Sequence, residues 1–269
     1  MDTTKTNKRR PAWGRIVLAV LLLVVLVTGI GRAVQIFRAY KYNVEVEPPD
    51  PEKYPVRGVD VSRYQGNIDW ETLASQNVSF AFIKATEGSS HQDPCFAFNW
   101  EEAQKTGMYV GAYHFFSFES GGETQAQNFI ETVGDSDGTL PPVVDLEFYG
   151  DYTENPLGKA ETRKILDSLL AALEKHYGTK PIIYTTTRAY YSYILGGGYG
   201  DYPLWMRDVH MEPIVKWRFW QYSDQGMLKG YDGLQSDQTE VCIDLNVYNG
   251  TMKGFLREFA LPEKEEKAE

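Results

Sequence analysis

The chain has 269 residues, of which 42% are hydrophobic and 14% aromatic, so it can build a sizeable core and is not a fully disordered protein. Its formal net charge of −10 leaves no broad basic face for phosphate backbones, and we expect no nucleic-acid partner. Its two cysteines, Cys95 and Cys242, are too few for a disulfide scaffold or a cysteine-based zinc site. They form either one bridge or, as we expect, two separate thiols.

The N-terminus has the pattern of an export signal, in which basic residues precede an apolar run. The run covers residues 16–31 without a charge, and the basic residues are Lys5, Lys8, Arg9, Arg10 and Arg15. Apolar character resumes over 33–37 and no A-x-A cleavage motif follows, so we predict an uncleaved transmembrane signal anchor over 16–37. The protein would then be a single-pass cell-membrane protein, with residues 1–15 in the cytoplasm and the remainder outside. Cleavage near the weak Gly29-x-Gly31 pattern, giving a secreted protein, is the alternative.

Two further segments differ in composition from a folded domain. Four prolines between residues 48 and 55, among acidic residues, predict a semi-extended linker over 38–55. The charged stretch 263–269 is interpreted as a solvated tail. Residues 56–262 then remain as one folded domain.

Within this domain, strand-like apolar runs alternate with helical patterns, which indicates an α/β fold with a parallel barrel. After Tyr184 the connections shorten and the helical pattern weakens, so the second half of the barrel is expected to be irregular. The predicted helices are Trp70–Gln76, Phe96–Thr106, Glu123–Val133 and Glu161–Tyr177. The predicted strands are Gly58–Ser62, Phe80–Thr86, Tyr109–Phe116, Pro142–Leu146, Pro181–Thr185, Pro203–Met206, Arg218–Tyr222 and Val241–Asn246.

Polar side chains are concentrated toward the ends of these strands. Active sites of parallel barrels are built at the carboxyl-terminal rim, where the loops that follow the strands converge. Asp60 and Asp244 belong to the first and the last strand, which become neighbours when a barrel closes. The residues concerned are Asp60, Glu87, His114, Asp145, Glu147, Gln221 and Asp244.

The strongest chemical motif is Asp145-Leu-Glu147, which follows the apolar run 141–144. Residues i and i+2 of a strand face the same way, which places these two carboxylates ~6–7 Å apart. Two carboxyl groups in one crevice shift each other's pKa, so one can stay protonated while the other is charged. Glycoside hydrolysis needs this division of labour, and the separation by itself does not distinguish retaining from inverting chemistry. A lone D-x-E would be read as two solvated acids at a strand end, but Asp60 and Asp244 on the same rim favour a catalytic site.

Together, the segments of this domain resemble glycoside hydrolase family 25, the muramidases often called Chalaropsis-type lysozymes. The resemblance covers about Val56 to Phe259, and the segments occur in the family's order. They are Arg57-Gly-Val-Asp-Val-Ser-Arg-Tyr-Gln-Gly66, Phe80-Ala-Phe-Ile-Lys-Ala-Thr-Glu-Gly88, Gly111-Ala-Tyr-His-Phe-Phe116, Pro142-Val-Val-Asp-Leu-Glu147, Pro203-Leu-Trp205, Trp220-Gln-Tyr222 and Val241-Cys-Ile-Asp-Leu-Asn246.

The resemblance implies an irregular, flattened (β/α) barrel that is TIM-barrel-like, and hydrolysis of the β-1,4 bond between N-acetylmuramic acid and N-acetylglucosamine in peptidoglycan. It makes Glu147 the general acid and Asp145 the second acid of the central pair, with Asp60 and Asp244 as outer aspartates that bind substrate. By analogy with D-x-E chitinases, the substrate acetamide oxygen would be the nucleophile, oriented by an ionised Asp145. The motif positions that would bind substrate are Lys84, Tyr113, Tyr184, Trp205 and Gln221. Two of these have equally strong structural interpretations, Trp205 as a core residue and Lys84 as an ion-pair partner of Glu87 or Asp60.

Other chemistries lack their motifs. The four histidines show no zinc-ligand spacing, so no metal and no cofactor is expected, and His114 is interpreted as a satisfied buried histidine. Three other functions compete with a muramidase: a non-catalytic glycan-binding module, an exported chitinase, and a structural tether. The expected partners are peptidoglycan glycan strands and, through the N-terminal helix, a membrane; the protein is expected to be a monomer.

Overall fold

The computed structural model describes residues 13–135, 138–231 and 242–264, and divides the chain into two compact units between Val44 and Glu45. The first unit is a single helix, α1 (Trp13–Tyr42), with no buried residue. In the described part of the chain it is the one helix whose length and composition would let it cross a membrane. It is longer at both ends than the predicted span 16–37. The basic residues at positions 5 to 10 lie outside the described residues, as does the end of the charged tail, 265–269.

The second unit contains the other helices and all described strands. Its helices are α2 (Trp70–Ala74), α3 (Phe96–Gln104), α4 (Gly122–Val133), α5 (Lys159–Tyr177), α6 (Thr187–Ala189) and α7 (Met252–Glu258). Its strands are β1 (Arg57–Val61), β2 (Phe80–Glu87), β3 (His91–Gln92), β4 (Tyr109–Phe115), β5 (Val143–Leu146), β6 (Ile182–Thr186), β7 (Leu204–Arg207), β8 (Phe219–Gly226) and β9 (Ile243–Tyr248). All eight predicted strands and four predicted helices are present, and the start of the last predicted strand, Val241, lies outside the described residues.

The strands form a closed barrel. Their order is β1-β9-β8-β7-β6-β5-β4-β2, with β3 added beside β2, and pairing of β1 with β2 closes the ring. The strands β1, β2 and β4 to β8 run parallel to their neighbours, but β9 is antiparallel to both β8 and β1. The prediction of an entirely parallel barrel was therefore wrong for the last strand. Because β9 is reversed, its first residues, including Asp244, lie beside the carboxyl-terminal end of β1, and Asp244 pairs in register with Asp60.

Side chains of each strand alternate between the inside of the barrel and the helices outside it. The inside is filled by an aromatic layer built from Phe80, Phe82, Trp205 and Phe219, with Phe255 of α7 packed against it. A Cβ at Gly58 would lie 2.4 Å from the Phe80 ring, so only glycine fits at this point of β1. The aromatic layer fills the barrel below the rim, and the polar side chains of the same inner faces are left above it.

The second half of the barrel is irregular, as expected. A full-length helix, α5, precedes β6, but the link from β6 to β7 contains only α6 and a π-helical turn, Tyr190–Ile194. No helix lies in the described part of the link from β7 to β8. At the end of α5, Gly178 has φ 68° and its amide caps the carbonyl of Glu174, as its position in the sequence predicts.

The proline-rich stretch is not free of the barrel over its whole length. From Glu45 onward it belongs to the second unit, and the amide of Val46 donates to the carbonyl of Val209 at 2.7 Å. Pro49 is buried and its carbonyl accepts from Arg57, while Tyr54 is 3% exposed. The expected linker therefore packs on the barrel from about residue 45. Its apolar residues Pro49 and Tyr54 are buried there, whereas most of the charged residues around them are exposed.

Candidate active site

A groove at the carboxyl-terminal rim of the barrel contains all nine site residues named from the sequence. A cavity of about 230 Å³ is lined by eight of them, and an adjoining cavity of about 670 Å³ adds Gln221. Glu147, Tyr184 and Asp244 line both cavities, so the two are continuous. A separate cavity of about 590 Å³, beside Tyr199 and Trp217, contains none of the predicted site residues.

Asp60 is held by a network of side chains inside the barrel. Its Oδ2 accepts from the amide of Gln221 at 2.8 Å and from that of Asn246 at 2.7 Å. Tyr184 donates to Gln221 at 2.9 Å, and the indole of Trp205 donates to Asn246 at 2.8 Å. The orientation of Asp60 is therefore fixed by two donors, each of which is fixed in turn by an aromatic side chain.

Asp244 shares a hydrogen bond with Asp60 across the β1–β9 pair. Burial raises the pKa of Asp244 well above its usual value, and the charge of Asp60 raises it further. Burial also raises the pKa of Asp60, although the donors Asn246 and Gln221 favour its charged form. The amide donors thus favour the charged form of Asp60, and burial favours the protonated form of Asp244, which can then donate a hydrogen bond to Asp60.

Asp145 and Glu147 project from β5 and the residue after its end, on the same inner face. Burial raises the pKa of both groups. The charge of Glu147 raises the pKa of Asp145 further, while Arg207 lowers that of Glu147. Asp145 is 7% exposed and its Oδ1 has no hydrogen-bond partner among the described residues.

The sequence-based expectation is that Asp145 is charged and that Glu147 holds the proton of the central pair. Burial favours the protonated form of both groups in the unliganded protein. Lys84 favours the charged form of both, and Arg207 favours that of Glu147. A hydrogen-bond donor that the substrate places against Asp145 would favour the expected state, with Asp145 charged and Glu147 protonated.

Lys84 lies in the cavity and is also an ion-pair partner. Its Nζ is 2.8 Å from Glu87 and 4.6 Å from the centre of the Phe115 ring, and its side chain is 14% exposed. Of the two partners considered from the sequence, the structure selects Glu87. Lys84 also lowers the pKa of both Asp145 and Glu147, so it favours negative charge in the groove.

Two of the tyrosines that line the cavity, Tyr113 and Tyr184, remain protonated. Burial raises the pKa of Tyr113 and of Tyr184 well above the usual value, and the nearby carboxylates raise both further. The hydroxyl of Tyr184 donates a hydrogen bond to Gln221. Tyr113 is half-buried and faces Asp60, Asp145 and Asp244, so its hydroxyl can donate into the groove.

Trp205 and Gln221 are almost fully buried, at 1% exposure each. Trp205 stacks on Phe82 with a centroid distance of 4.6 Å and belongs to the barrel core. The interpretation of Trp205 as a core residue therefore holds for most of its side chain. Its indole N–H donates a hydrogen bond to Asn246. Both residues support Asp60 from below, and little of either side chain is open to the groove.

The sequence reasoning did not assign a role to Arg207, Asn246 or Tyr64. Arg207 ends β7 and lines the groove with Glu147, so the rule that sites form at strand ends could have found it. Tyr64 is 40% exposed at the cavity and lies in the short turn that Ser62 caps after β1. Its ring is a surface on which a sugar could stack.

Three other expectations concern groups outside this chemistry. His114 is fully buried and bonded to Thr86 at 2.7 Å and Gln125 at 2.9 Å, and burial lowers its pKa to about 4, so it is a satisfied neutral histidine. Cys95 and Cys242 are both unbridged, as expected. Among the described residues no cluster of histidine, cysteine, aspartate or glutamate could hold a metal ion.

Paired carboxyl groups in a groove at the rim of a barrel suit glycoside hydrolysis, and comparison with known proteins identifies the family. The model of glycosyl hydrolases family 25 matches residues 59–231. A solved family 25 glycosyl hydrolase from Bacillus anthracis is 45% identical, covers 79% of this chain and 96% of its own, and superposes with a TM-score of 0.72. The uncharacterized protein YegX of Escherichia coli K12 is 38% identical over 76% of this chain and 73% of its own length.

A third relative is named for its activity. Lysozyme M1 of Streptomyces globisporus is 32% identical over 73% of this chain and 68% of its own length. The chain therefore belongs to glycosyl hydrolase family 25, and it is a glycoside hydrolase.

Proposed function

We propose that this protein is a peptidoglycan hydrolase that cleaves the β-1,4 bond between N-acetylmuramic acid and N-acetylglucosamine, with Glu147 as the general acid. The observation that carries the proposal is the pair Asp145 and Glu147 on one inner face of the barrel, with Asp60 and Asp244 beside it. The names of the family relatives, lysozyme and N,O-diacetylmuramidase, support the substrate class.

The place of Asp145 in the cavity beside Glu147 supports a substrate-assisted route. The N–H of the substrate's N-acetyl group would donate to the carboxylate of Asp145 and stabilise it in its charged form. The proton of the central pair would then lie on Glu147, where it can be given to the glycosidic oxygen. The bond from C1 to that oxygen breaks while the acetamide oxygen forms a bond to C1, giving a cyclic oxazolinium. Water then attacks C1 and gives a proton back to Glu147 as the acetamide is released, so the net reaction is hydrolysis.

Mass spectrometry of the muropeptides released from purified cell wall tests this proposal. We expect new reducing ends on N-acetylmuramic acid, with the wild-type chain active and Glu147→Gln inactive. Release of new N-acetylglucosamine reducing ends would contradict the proposed bond. Equal digestion of chitin would favour the competing chitinase, and binding without any product would favour a glycan-binding module.

The same proposal places the enzyme at the outer face of the cell membrane. The support is α1, a helix long and apolar enough to span a bilayer, and the basic residues that precede it in the sequence. Protease added to intact spheroplasts should degrade the barrel domain and leave the first residues protected. Protection of the barrel would contradict this orientation, and loss of the N-terminus from the mature protein would indicate a cleaved signal and secretion.

The apolar helix α1 also suits a competing function, in which the protein is a structural tether rather than an enzyme. A structural tether would need the helix and the barrel but not the general acid. A Glu147→Gln protein that rescues a deletion strain as well as wild type would favour the tether, whereas failure to rescue would favour the hydrolase.

A further inference from the structure

Arg207 is a cation in an otherwise acidic groove. Within the described residues, Lys84 and Arg207 are the two basic side chains that line its cavities, against Asp60, Asp145, Glu147 and other carboxylates. Arg207 ends β7, pairs in register with Thr186 and Gln221 of the neighbouring strands, and lines the same cavity as Glu147. It therefore lies where a bound glycan would pass the general acid.

Most of the hydrogen-bonding capacity of Arg207 is unused by the protein. A guanidinium has five N–H donors in a planar fork. Among the described residues Arg207 makes one hydrogen bond, to Asp224, through a single nitrogen. Its side chain is 32% exposed, so the remaining donors can be reached from the groove. Asp224 also accepts from Gln225, and it fixes one side of the guanidinium while the other side stays available.

The position of this cation is unfavourable for the unliganded enzyme. A general acid must hold a proton, and the positive charge of Arg207 favours the ionised form of Glu147. A neutral side chain at residue 207 would remove that penalty. The placement of Arg207 is accounted for if its charge is neutralised when substrate binds.

We propose that Arg207 binds a carboxylate on the substituent that muramic acid carries at O3, and so distinguishes peptidoglycan from chitin. This inference rests on the proposed function. A polymer of N-acetylglucosamine has no carboxylate. Muramic acid has a lactyl ether, whose carboxyl group is either free or joined to a peptide that has carboxylates of its own. Arginine matches such a group with two parallel charge-assisted hydrogen bonds.

Binding of that carboxylate has a consequence for the chemistry. With Arg207 neutralised, its attraction for the charged form of Glu147 disappears, and Glu147 holds its proton to higher pH. Recognition of muramic acid would thus also favour the active protonation state. The other titratable or charged groups that face the central pair are Asp60, Asp244, Lys84, Tyr113 and Tyr184.

The test uses the full-length protein in detergent and two matched substrates. Peptide-free glycan strands from cell wall, with free lactyl carboxylates, are compared with the same strands after carbodiimide coupling to ammonia, which converts each carboxylate into an amide of the same shape. We expect wild type to hydrolyse the carboxylate form with a kcat/KM roughly 10-fold higher, and Arg207→Gln to bring the ratio close to one. If wild type hydrolyses the lactyl carboxylate form and its amide equally well, the same comparison is made with peptide-bearing strands. A preference there would show that Arg207 binds a carboxylate of the peptide.

Arg218→Gln is the matched control. Arg218 is also paired with a single carboxylate, Glu258, and its side chain is 36% exposed, but it lines the separate cavity rather than the groove. This variant should keep the wild-type ratio. The proposal is overturned if wild type is active on cell wall but prefers neither form of either substrate, or if the preference survives in Arg207→Gln. Absence of wild-type activity on cell wall would instead refute the proposed function.

Discussion

Asp60 and Asp145, the two buried aspartates of the groove, are buried to a similar extent but differ in their hydrogen bonding. Asp60 is 8% exposed and accepts hydrogen bonds from two side-chain amides. Asp145 is 7% exposed and its Oδ1 has no partner among the described residues. A buried polar atom without a partner is uncommon in native proteins and calls for a physical explanation.

The difference separates a finished part of the site, where the protein supplies the hydrogen-bond donors, from an unfinished part, where it does not. Around Asp60 the donors are in place, so we expect its geometry to change little when substrate binds. In the proposed mechanism the carboxylate of Asp145 accepts from a substrate acetamide N–H. Asp60 is therefore expected to position its neighbours, whereas the charge of Asp145 depends on what is bound.

The largest expected effects come from the central pair. Asp145→Asn and Glu147→Gln should each lower kcat by about 10²–10⁴-fold, because each removes a group that acts on the reacting atoms. Muropeptide release measures the loss. A variant of either residue with more than half of wild-type kcat would contradict the assignment of the pair.

An activated aryl glycoside, if the groove accepts it, separates the roles of the two acids. Its leaving group needs no protonation, so Glu147→Gln should be partly rescued on this substrate and Asp145→Asn should not. The pH–rate profile of wild type should be bell-shaped, and Asp145→Asn should move its alkaline limb to lower pH because the like charge beside Glu147 is gone. Equal rescue of both variants, or rescue of Asp145→Asn alone, would show that the acid is the other carboxylate.

The second prediction concerns the finished half of the site. Asp60→Asn places an amide against the donors of Gln221 and Asn246, so it should lower kcat/KM by roughly 10²-fold and also lower Tm. Asp244→Asn can still donate to Asp60, so its loss should be smaller, about 10-fold or less. Kinetics and thermal unfolding of both variants measure the order. Equal losses, or a larger loss for Asp244→Asn, would mean that the proton does not lie on Asp244.

The sequence was sufficient to locate the strands and the carboxylates because both depend on local patterns. Buried parallel strands are short apolar runs bounded by glycine or proline, and Asp145 and Glu147 follow such a run directly. The direction of β9 could not be read in this way, since the alternation of side chains is the same in parallel and antiparallel strands. Its reversal did not move Asp244 away from Asp60, because antiparallel pairing brings the first half of β9 to the same rim.

The parts that the sequence did not predict depend on long-range contacts. Arg207 follows an apolar run and resembles a solvated strand end until β7 and β8 bring it beside Glu147. The proline-rich stretch was read from its composition, yet Tyr54 packs on Trp217, with ring centroids 5.6 Å apart, in a contact that no local pattern shows.

The third prediction tests the support beneath Asp60. Trp205→Phe keeps an aromatic ring in the core but leaves Asn246 without its donor, which should cost about 1–3 kcal/mol of stability and a several-fold loss of kcat. Trp217→Phe is the control, because Trp217 is 4% exposed and makes no indole hydrogen bond within the described structure. It should lose stability through packing and keep kcat. An unchanged kcat in Trp205→Phe would show that Asn246 does not need its indole partner to hold Asp60.

The smallest expected effect is on stability, and it again separates the two aspartates. Burial raises the pKa of Asp145 above its unfolded value, so folding favours the protonated form. Below the unfolded value of about 3.9 the group is protonated in both states and carries no penalty. As pH rises from there toward the folded pKa, the native protein loses stability relative to a variant that has no proton to lose.

Asp145→Asn should therefore unfold at the same temperature as wild type near pH 3.5 and at a higher temperature at pH 7, whereas the exposed Asp151→Asn should show no such trend. Burial also raises the pKa of Asp60, but Asp60→Asn should show no gain at pH 7, because the new amide faces the amide donors of Gln221 and Asn246 and this conflict offsets the removal of a buried charge. A stability gain for Asp60→Asn and none for Asp145→Asn would reverse the comparison between the finished and the unfinished half of the site.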